Sequence, residues 1–186
     1  MSATLVTDRL LLRPIVSADA PAFVKYLNNY EITKYTAVIP HPYGAADAEA
    51  FVRLAAEAAA NGSRHDFAIA LKAGPDEATG VITLSIKSNA TGWVLGYWLG
   101  QPFWGRRFMS EAADAVVAHA FKALGIEKLA ASYQLGNEAS RRILEGQGFA
   151  NAQPETGFSL AQGKDVPLIR LELDFDSYVN AKERGQ

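Results

Sequence analysis

Cysteine is absent from all 186 residues, which rules out disulfides, thiolate metal sites and a cysteine-bound covalent intermediate. Basic residues are not in surplus either: 18 Lys and Arg stand against 20 Asp and Glu, for a formal net charge of -2. With no excess cations to neutralise phosphates along a groove, nucleic acid is not an expected partner. No apolar run approaches the length of a membrane span. Residues 1–12 carry Asp8 and Arg9 where a signal peptide needs an uninterrupted apolar core, so the expectation is a cytoplasmic protein with no membrane partner. The histidines at 41, 65 and 119 have no ligand spacing, and neither a Gly-x-x-x-x-Gly-Lys loop nor a Gly-x-Ser-x-Gly elbow occurs. No metal is expected. Repeats, low-complexity stretches and linkers are also missing, so residues 1–186 are read as one domain.

What is present is the balance of a soluble globular chain, 49% hydrophobic and 20% charged. Residues 9–16 are rich in Leu and Ile and run into Ser17 and Asp19, which predicts a strand leading to a capped helix with Pro21 in its first turn. The Ala-rich stretch 44–61 predicts a second helix, stopped by Asn61-Gly62. Residues 65–71, 78–87 and 93–99 read as three antiparallel strands separated by Gly-Pro-Asp-Glu and Ser-Asn-Ala-Thr-Gly turns. Over 108–124 the apolar residues Met109, Ala113, Val116, Ala120 and Leu124 recur at three- and four-residue steps. Gly125 follows where a left-handed cap is needed, so this is a helix. A strand at 128–135, a helix at 137–147 and two strands near 149–160 and 166–175 complete an α/β (α+β) order of about seven strands and four helices. Trp93, Trp98, Phe67 and Phe121 are assigned to the core.

Two segments carry chemistry. The first, Tyr97-Trp98-Leu99-Gly100-Gln101-Pro102-Phe103-Trp104-Gly105-Arg106-Arg107-Phe108, passes from a strand through a turn into the 108–124 helix. Helix N-termini present unpaired N–H groups and about half a positive charge, so arginines there are disfavoured by about 0.3–1 kcal/mol each unless an anion is bound. Two arginines in a turn can also be merely solvated. The second segment, Asn137-Glu138-Ala139-Ser140-Arg141-Arg142-Ile143-Leu144-Glu145-Gly146-Gln147-Gly148-Phe149, opens a helix and ends in Gly-Phe.

Together these segments resemble the GNAT acetyltransferases, whose pattern is Asn-x-x-Ser or Asn-x-x-Ala, a helix, then Leu-Glu-x-x-Gly-Phe. The strand-to-turn run Leu-Gly-Tyr-Trp-Leu-Gly-x-x-x-Trp-Gly, the Ser-Glu-Ala at 110–112, the opening Thr-Asp-Arg-Leu-Leu-Leu-Arg-Pro and the 35–43 loop ending in His-Pro-Tyr all look like the RimJ/RimL-type branch. The resemblance implies the GNAT fold, a mixed, mostly antiparallel sheet splayed at a cofactor cleft, and acetyl-CoA as cosubstrate.

On that resemblance the pyrophosphate loop falls on Trp104, Gly105, Arg106, Arg107, Phe108, Met109 and Ser110, whose N–H groups would cradle the diphosphate. Arg107 departs from the family, which places a glycine there. Its guanidinium can still add a charge-assisted contact. The backbone of Tyr97, Trp98 and Leu99 would pair with the pantetheine arm, with side-chain identity mattering little. Asn137, which by spacing alone is an N-cap, would lie near that arm. Ser140, one turn on, would face the thioester sulfur and protonate the leaving thiolate, because the position of the relatives' acid tyrosine is Leu144 here. Tyr133 is the runner-up acid. No Glu stands on the 93–99 strand to act as base, which leaves Glu31, in the loop after the first helix, as a substitute. An enzyme without an evident base serves an α-amine, with pKa near 7.7–8.0, more easily than a lysine near 10.4. The expected reaction is direct attack by an amine in a ternary complex. A protein or peptide N-terminus is the leading acceptor; a small-molecule amine and a non-catalytic acetyl-CoA-binding module are the alternatives. Either a monomer or a homodimer is compatible with the sequence.

Overall fold

The computed structural model describes residues 3–86 and 92–184. Its strands are β1 (Leu5–Val6), β2 (Leu10–Pro14), β3 (Arg64–Leu71), β4 (Gly80–Ile86), β5 (Trp93–Leu99), β6 (Lys128–Gln134), β7 (Ala150–Ser159) and β8 (Lys164–Asp174). Its helices are α1 (Ala20–Leu27), α2 (Tyr30–Thr33), α3 (Ala45–Asn61), α4 (Phe108–Lys122), α5 (Glu138–Gln147) and α6 (Phe175–Arg184). All eight strands join one sheet in the order β1-β2-β3-β4-β5-β6-β8-β7. Every neighbouring pair is antiparallel except β5 with β6.

The sheet is covered on both faces, so consecutive residues of β3 and β4 are buried. Leu10, Leu12, Phe67, Ile69, Ile82, Leu84, Leu95 and Leu99 point to one side, into a core shared with α4 and α5. Their neighbours Ala68, Val81 and Trp98 point to the other, where Phe23 and Tyr26 of α1 meet Ala48 of α3. Trp98 packs edge-on against Phe23 at 5.8 Å between ring centroids. Phe67, Phe121 and Trp98 are buried and Trp93 half-buried against the first core, as expected from their type.

Strand β5 is held along its whole length by β4, and β6 along its whole length by β8. Between β5 and β6, however, pairing is confined to Trp93 with Leu129 and Val94 with Ala130. Beyond Val94 the two strands part. The backbone of Leu95–Leu99 therefore faces an opening on the β6 side, and α4 and α5 begin at its margins.

Three elements were not anticipated. Strand β1 is only two residues long, too short for any periodicity. Helix α2 is a single turn, capped by Asn29 Oδ1, which accepts from the Glu31 amide at 3.0 Å; Glu31 therefore sits in a helix and not in a loop. The last strand ends at Asp174, whose Oδ1 accepts from the Ser177 amide at 2.8 Å and starts α6. Phe175 and Tyr178 then pack on Phe121 at centroid distances of 5.9 and 5.3 Å. Of the turn expected at 88–92, all but Gly92 lies outside the described residues, as does the end of the 78–87 strand.

Candidate active site

The opening between β5 and β6 is a cleft of about 830 Å³. Its walls are the open edge of β5, the turn into α4, the start of α5, and α2 with the residues just after it. The sequence-predicted residues Tyr97, Trp98, Leu99, Trp104, Gly105, Arg107, Phe108, Met109, Ser110, Tyr133, Asn137, Ser140 and Glu31 all line it. Arg106 does not. Its guanidinium lies 5.7 Å from the Phe108 ring centroid, and its carbonyl accepts from Arg9 Nη1 at 3.1 Å.

The turn into α4 is built on two left-handed residues, Gly105 (φ 72°) and Arg107 (φ 61°). A Cβ at Gly105 would meet nothing within 4 Å, so the glycine there answers to backbone conformation alone. Arg107 occupies the N-cap position of α4 with no side-chain hydrogen bond to the first turn. The early N–H groups of the helix are thus left open toward the cleft. Outside the cleft the turn is locked. Glu111 Oε1 accepts from Thr7 Oγ1 at 2.5 Å and from the Arg9 amide at 2.9 Å, while its Oε2 accepts from Arg9 Nε at 2.7 Å. These bonds give a physical role to the opening Thr-x-Arg and to the Glu of Ser-Glu-Ala: they tie β1 and β2 to the first turn of α4. They also hold the Glu111 carboxyl below its ordinary range, although burial by itself pushes it up.

Across the cleft, Asn137 caps α5, its Oδ1 accepting from the Ser140 amide at 3.2 Å. Its amide NH2 has no partner among the described residues. Gly148 closes the same helix at φ 97°, where a Cβ would come within 2.8 Å of Ala181 Cβ in α6. The Gly of Gly-Phe is required by that contact as well as by its backbone, and Phe149 after it is buried. Arg142 lines the cleft too. Neither Arg107 nor Arg142 has an ion pair or hydrogen bond among the described residues. Two unpartnered guanidinium groups beside open helix N–H groups are what a polyanion such as the coenzyme diphosphate needs. Sequence reading passed over Arg142, although its i+4 spacing from Glu138 sets it on a nearby face of α5.

The β5 residues split by pleat. Trp98 turns its side chain away into the α1 core and can offer the cleft only backbone. The Leu99 carbonyl is already taken by Trp104 Nε1 at 2.7 Å, which fixes the indole, 44% exposed, as a wall of the cleft. Tyr97 turns toward α5. Its hydroxyl is 2.9 Å from Ser140 Oγ and 3.3 Å from the Ser140 carbonyl, and burial pushes its pKa up to about 12 against the lowering effect of the Ser140 bond. Tyr133 reaches the cleft from β6 with no hydrogen-bond partner among the described residues. The carboxylates on the lining are Glu31 and Glu138, the second not foreseen. Each is committed to a neighbouring cation, Glu31 to Lys34 at 2.6 Å and Glu138 to Arg141 at 2.9 Å. Among the described residues, no three of His, Cys, Asp and Glu converge as metal ligands would, and no helix is long and apolar enough to cross a membrane.

Known proteins share this fold and part of this sequence. An uncharacterized N-acetyltransferase of Bacillus licheniformis, p20, is 26% identical over 171 residues, covering 91% of this chain and 95% of that protein. The structure of a ribosomal-protein-S5-alanine acetyltransferase from Vibrio fischeri superimposes with a TM-score of 0.80 at 18% identity, over 95% of this chain and 99% of that one. RimJ of Mycobacterium smegmatis, crystallised with CoA-disulfide, does so with a TM-score of 0.78 at 16% identity, over 98% and 93%. At such identities the structures speak for the fold. The family itself is shown by the acetyltransferase (GNAT) domain, which matches residues 9–150, from the Arg9 lock through the α4 turn to the end of the Asn137 helix; the chain belongs to the GNAT family and is an acetyl-CoA-dependent N-acetyltransferase.

Proposed function

We propose that the acceptor is the α-amino group of a protein or peptide N-terminus, attacked directly without an acyl-enzyme. One observation carries this reading: among the described residues the cleft lining holds two carboxylates, Glu31 and Glu138, and each is paired with a neighbouring cation, so no unpaired carboxylate faces an acceptor there. An α-amine with pKa near 7.7–8.0 is about a tenth or more neutral at pH 7, whereas a lysine near 10.4 is neutral in only a few parts in ten thousand. The cleft therefore suits an acceptor that brings its own neutral nitrogen. Supporting it, the fold is shared with a ribosomal-protein-S5-alanine acetyltransferase and a ribosomal L7/L12 alpha-N-protein acetyltransferase.

Acetyl-CoA, when bound, supplies the activated acyl carbon. In this reading Arg107, Arg142 and the open N–H groups of α4 hold the phosphates. The unpaired β5 edge at Leu95–Leu99 carries backbone donors of the kind that stabilise negative charge at a carbonyl oxygen. Ser140 Oγ protonates the departing sulfur, and Asn137 positions the helix that carries it.

Calorimetry with acetyl-CoA, followed by thiol release against a panel of peptides, lysine side-chain analogues and polyamines, tests the reading. The cysteine-free protein gives no thiol background. Release with peptides bearing a free N-terminus, and not with N-blocked peptides that contain lysine, is the expected result. Release with polyamines alone would overturn the acceptor assignment, and binding without any release would make the protein a coenzyme-binding module.

A further inference from the structure

Sequence reading gave the Tyr97 side chain no role, yet its hydroxyl is the one partner that Ser140 Oγ has among the described residues, 2.9 Å away. We infer that Tyr97 is a positioning residue for proton delivery: its phenol donates to Ser140 Oγ, which leaves the serine's own proton free to face the cleft. The inference rests on the reading of Ser140 as the group that protonates the leaving sulfur.

The direction of the bond follows from chemistry. A hydroxyl has one proton and two lone pairs, so only one member of the pair can donate across the shared contact. The phenol is the stronger acid of the two and is the natural donor. The alternative orientation, with the phenol turned to the Ser140 carbonyl at 3.3 Å and the serine donating to Tyr97, has the longer phenol contact and ties up the serine proton. Burial keeps the phenol protonated throughout the neutral range. The Tyr97 ring is carried by β5, the strand held along its length by β4, so its reach to α5 does not depend on a loop. Leu144, one turn after Ser140, is 1% exposed and packed in the core. Tyr97 thus brings a phenol to Ser140 from β5.

The transfer balances. The amine lone pair forms a carbon–nitrogen bond to the acetyl carbon, and the carbon–sulfur bond breaks with its electron pair going to sulfur; the Ser140 proton moves to that sulfur, the Tyr97 proton moves to Ser140, and Tyr97 is reprotonated through solvent by the proton shed by the acetylated nitrogen. The net change is one proton passed from amine to thiol.

A double-mutant cycle on single-turnover acetyl transfer tests this. Tyr97→Phe should slow transfer about five- to tenfold, the value of one neutral hydrogen bond, with acetyl-CoA affinity within about twofold of wild type as an unaltered phosphate site requires. Ser140→Ala should cost about a hundredfold, and Ser140→Thr, which keeps a hydroxyl, should recover much of it. In the Ser140→Ala background Tyr97→Phe should add less than about twofold. Full, independent losses overturn the inference, as does a Tyr97→Phe enzyme of wild-type rate. A second readout needs no turnover: 3-fluorotyrosine placed at 97 is nearly isosteric, and its fluorine resonance in the free protein should move on Ser140→Ala. A resonance unmoved by that substitution means there is no bond, and the inference falls. Additive losses in an active enzyme overturn only the Tyr97 role, whereas a wild-type protein that binds acetyl-CoA and acetylates nothing overturns the function reading along with it.

Discussion

Arg107 stands in a left-handed conformation, φ 61° and ψ 17°, at the mouth of α4, and the two consequences of that placement have opposite signs. A non-glycine residue pays roughly 1–2 kcal/mol for this conformation. Replacement by glycine removes that strain but gives back about 0.4–1 kcal/mol through the freer unfolded chain. Replacement by alanine removes the charge and keeps the strain. Arg107→Gly is therefore expected to be more stable than Arg107→Ala by about 1 kcal/mol, or about 2–4 °C in Tm for a chain of this length. Both variants lose the guanidinium from the cleft rim. A charge-assisted contact contributes about 1.5–3 kcal/mol, and an exposed rim position puts Arg107 at the lower end, so both should bind acetyl-CoA about tenfold more weakly. The deficit should narrow as salt screens the wild-type contact. Thermal melts and calorimetry at two ionic strengths read both quantities. If the two variants melt together, the strain argument is wrong. If both keep wild-type affinity, Arg107 takes no part in phosphate binding.

Further substitutions probe the rest of the frame. Asn137→Ala should cost about 1 kcal/mol of stability in urea melts by removing the α5 cap and should also weaken acetyl-CoA binding; Asn137→Asp should restore the first and not the second. Gly105→Ala and Gly148→Ala both force an alanine into positive φ, but only the second also meets Ala181 at 2.8 Å. Gly148→Ala should therefore be the worse by at least about 1 kcal/mol on denaturant unfolding. Glu111→Gln should destabilise at neutral pH. The folded carboxyl titrates below its ordinary 4.5, so its contribution is full above that value and is lost as pH falls through the folded pKa. The stability gap between wild type and Glu111→Gln should accordingly narrow as the pH falls below 4.5 and close once the folded carboxyl is protonated, as followed by urea midpoints.

Much of this frame was legible because it rests on local chemistry. The 108–124 helix and its Gly125 terminator follow from a 3.6-residue period and a left-handed glycine at φ 64°. The Asn137 cap follows from the preference of helix starts for a side-chain acceptor, and β5 lies at Trp93–Leu99 as read. Departures arose where local signal was thin. One turn of α2 carries no period, and the polar sequence of α6 gains its helix from Phe175 and Tyr178 docking on Phe121, a contact some fifty residues distant in sequence. The family motifs could be quoted without a mechanism, but only the structure shows that Thr7, Arg9 and Glu111 form one lock on the α4 turn.

The two ends of the cleft differ in this respect for a physical reason. The α4 side of the cleft is shaped by backbone conformation, and backbone conformation leaves marks in a sequence: a glycine at positive φ, an Asn before a helix, a turn before a 3.6-residue period. The α2 side is assembled instead from segments far apart in the chain. Ser159 Oγ donates to the Thr36 carbonyl at 3.2 Å, the Leu160 amide to Ala37 at 3.0 Å, and Gln162 Nε2 to the Lys34 carbonyl at 2.7 Å. These bonds pin the segment after α2 against the β7–β8 hairpin, and so set where Glu31, Tyr35 and Thr36 meet the cleft. Contacts spanning more than 120 residues have no periodic or compositional signature. They can change without disturbing the Gly105 turn or the Asn137 cap, so this side of the cleft can vary while the other is kept.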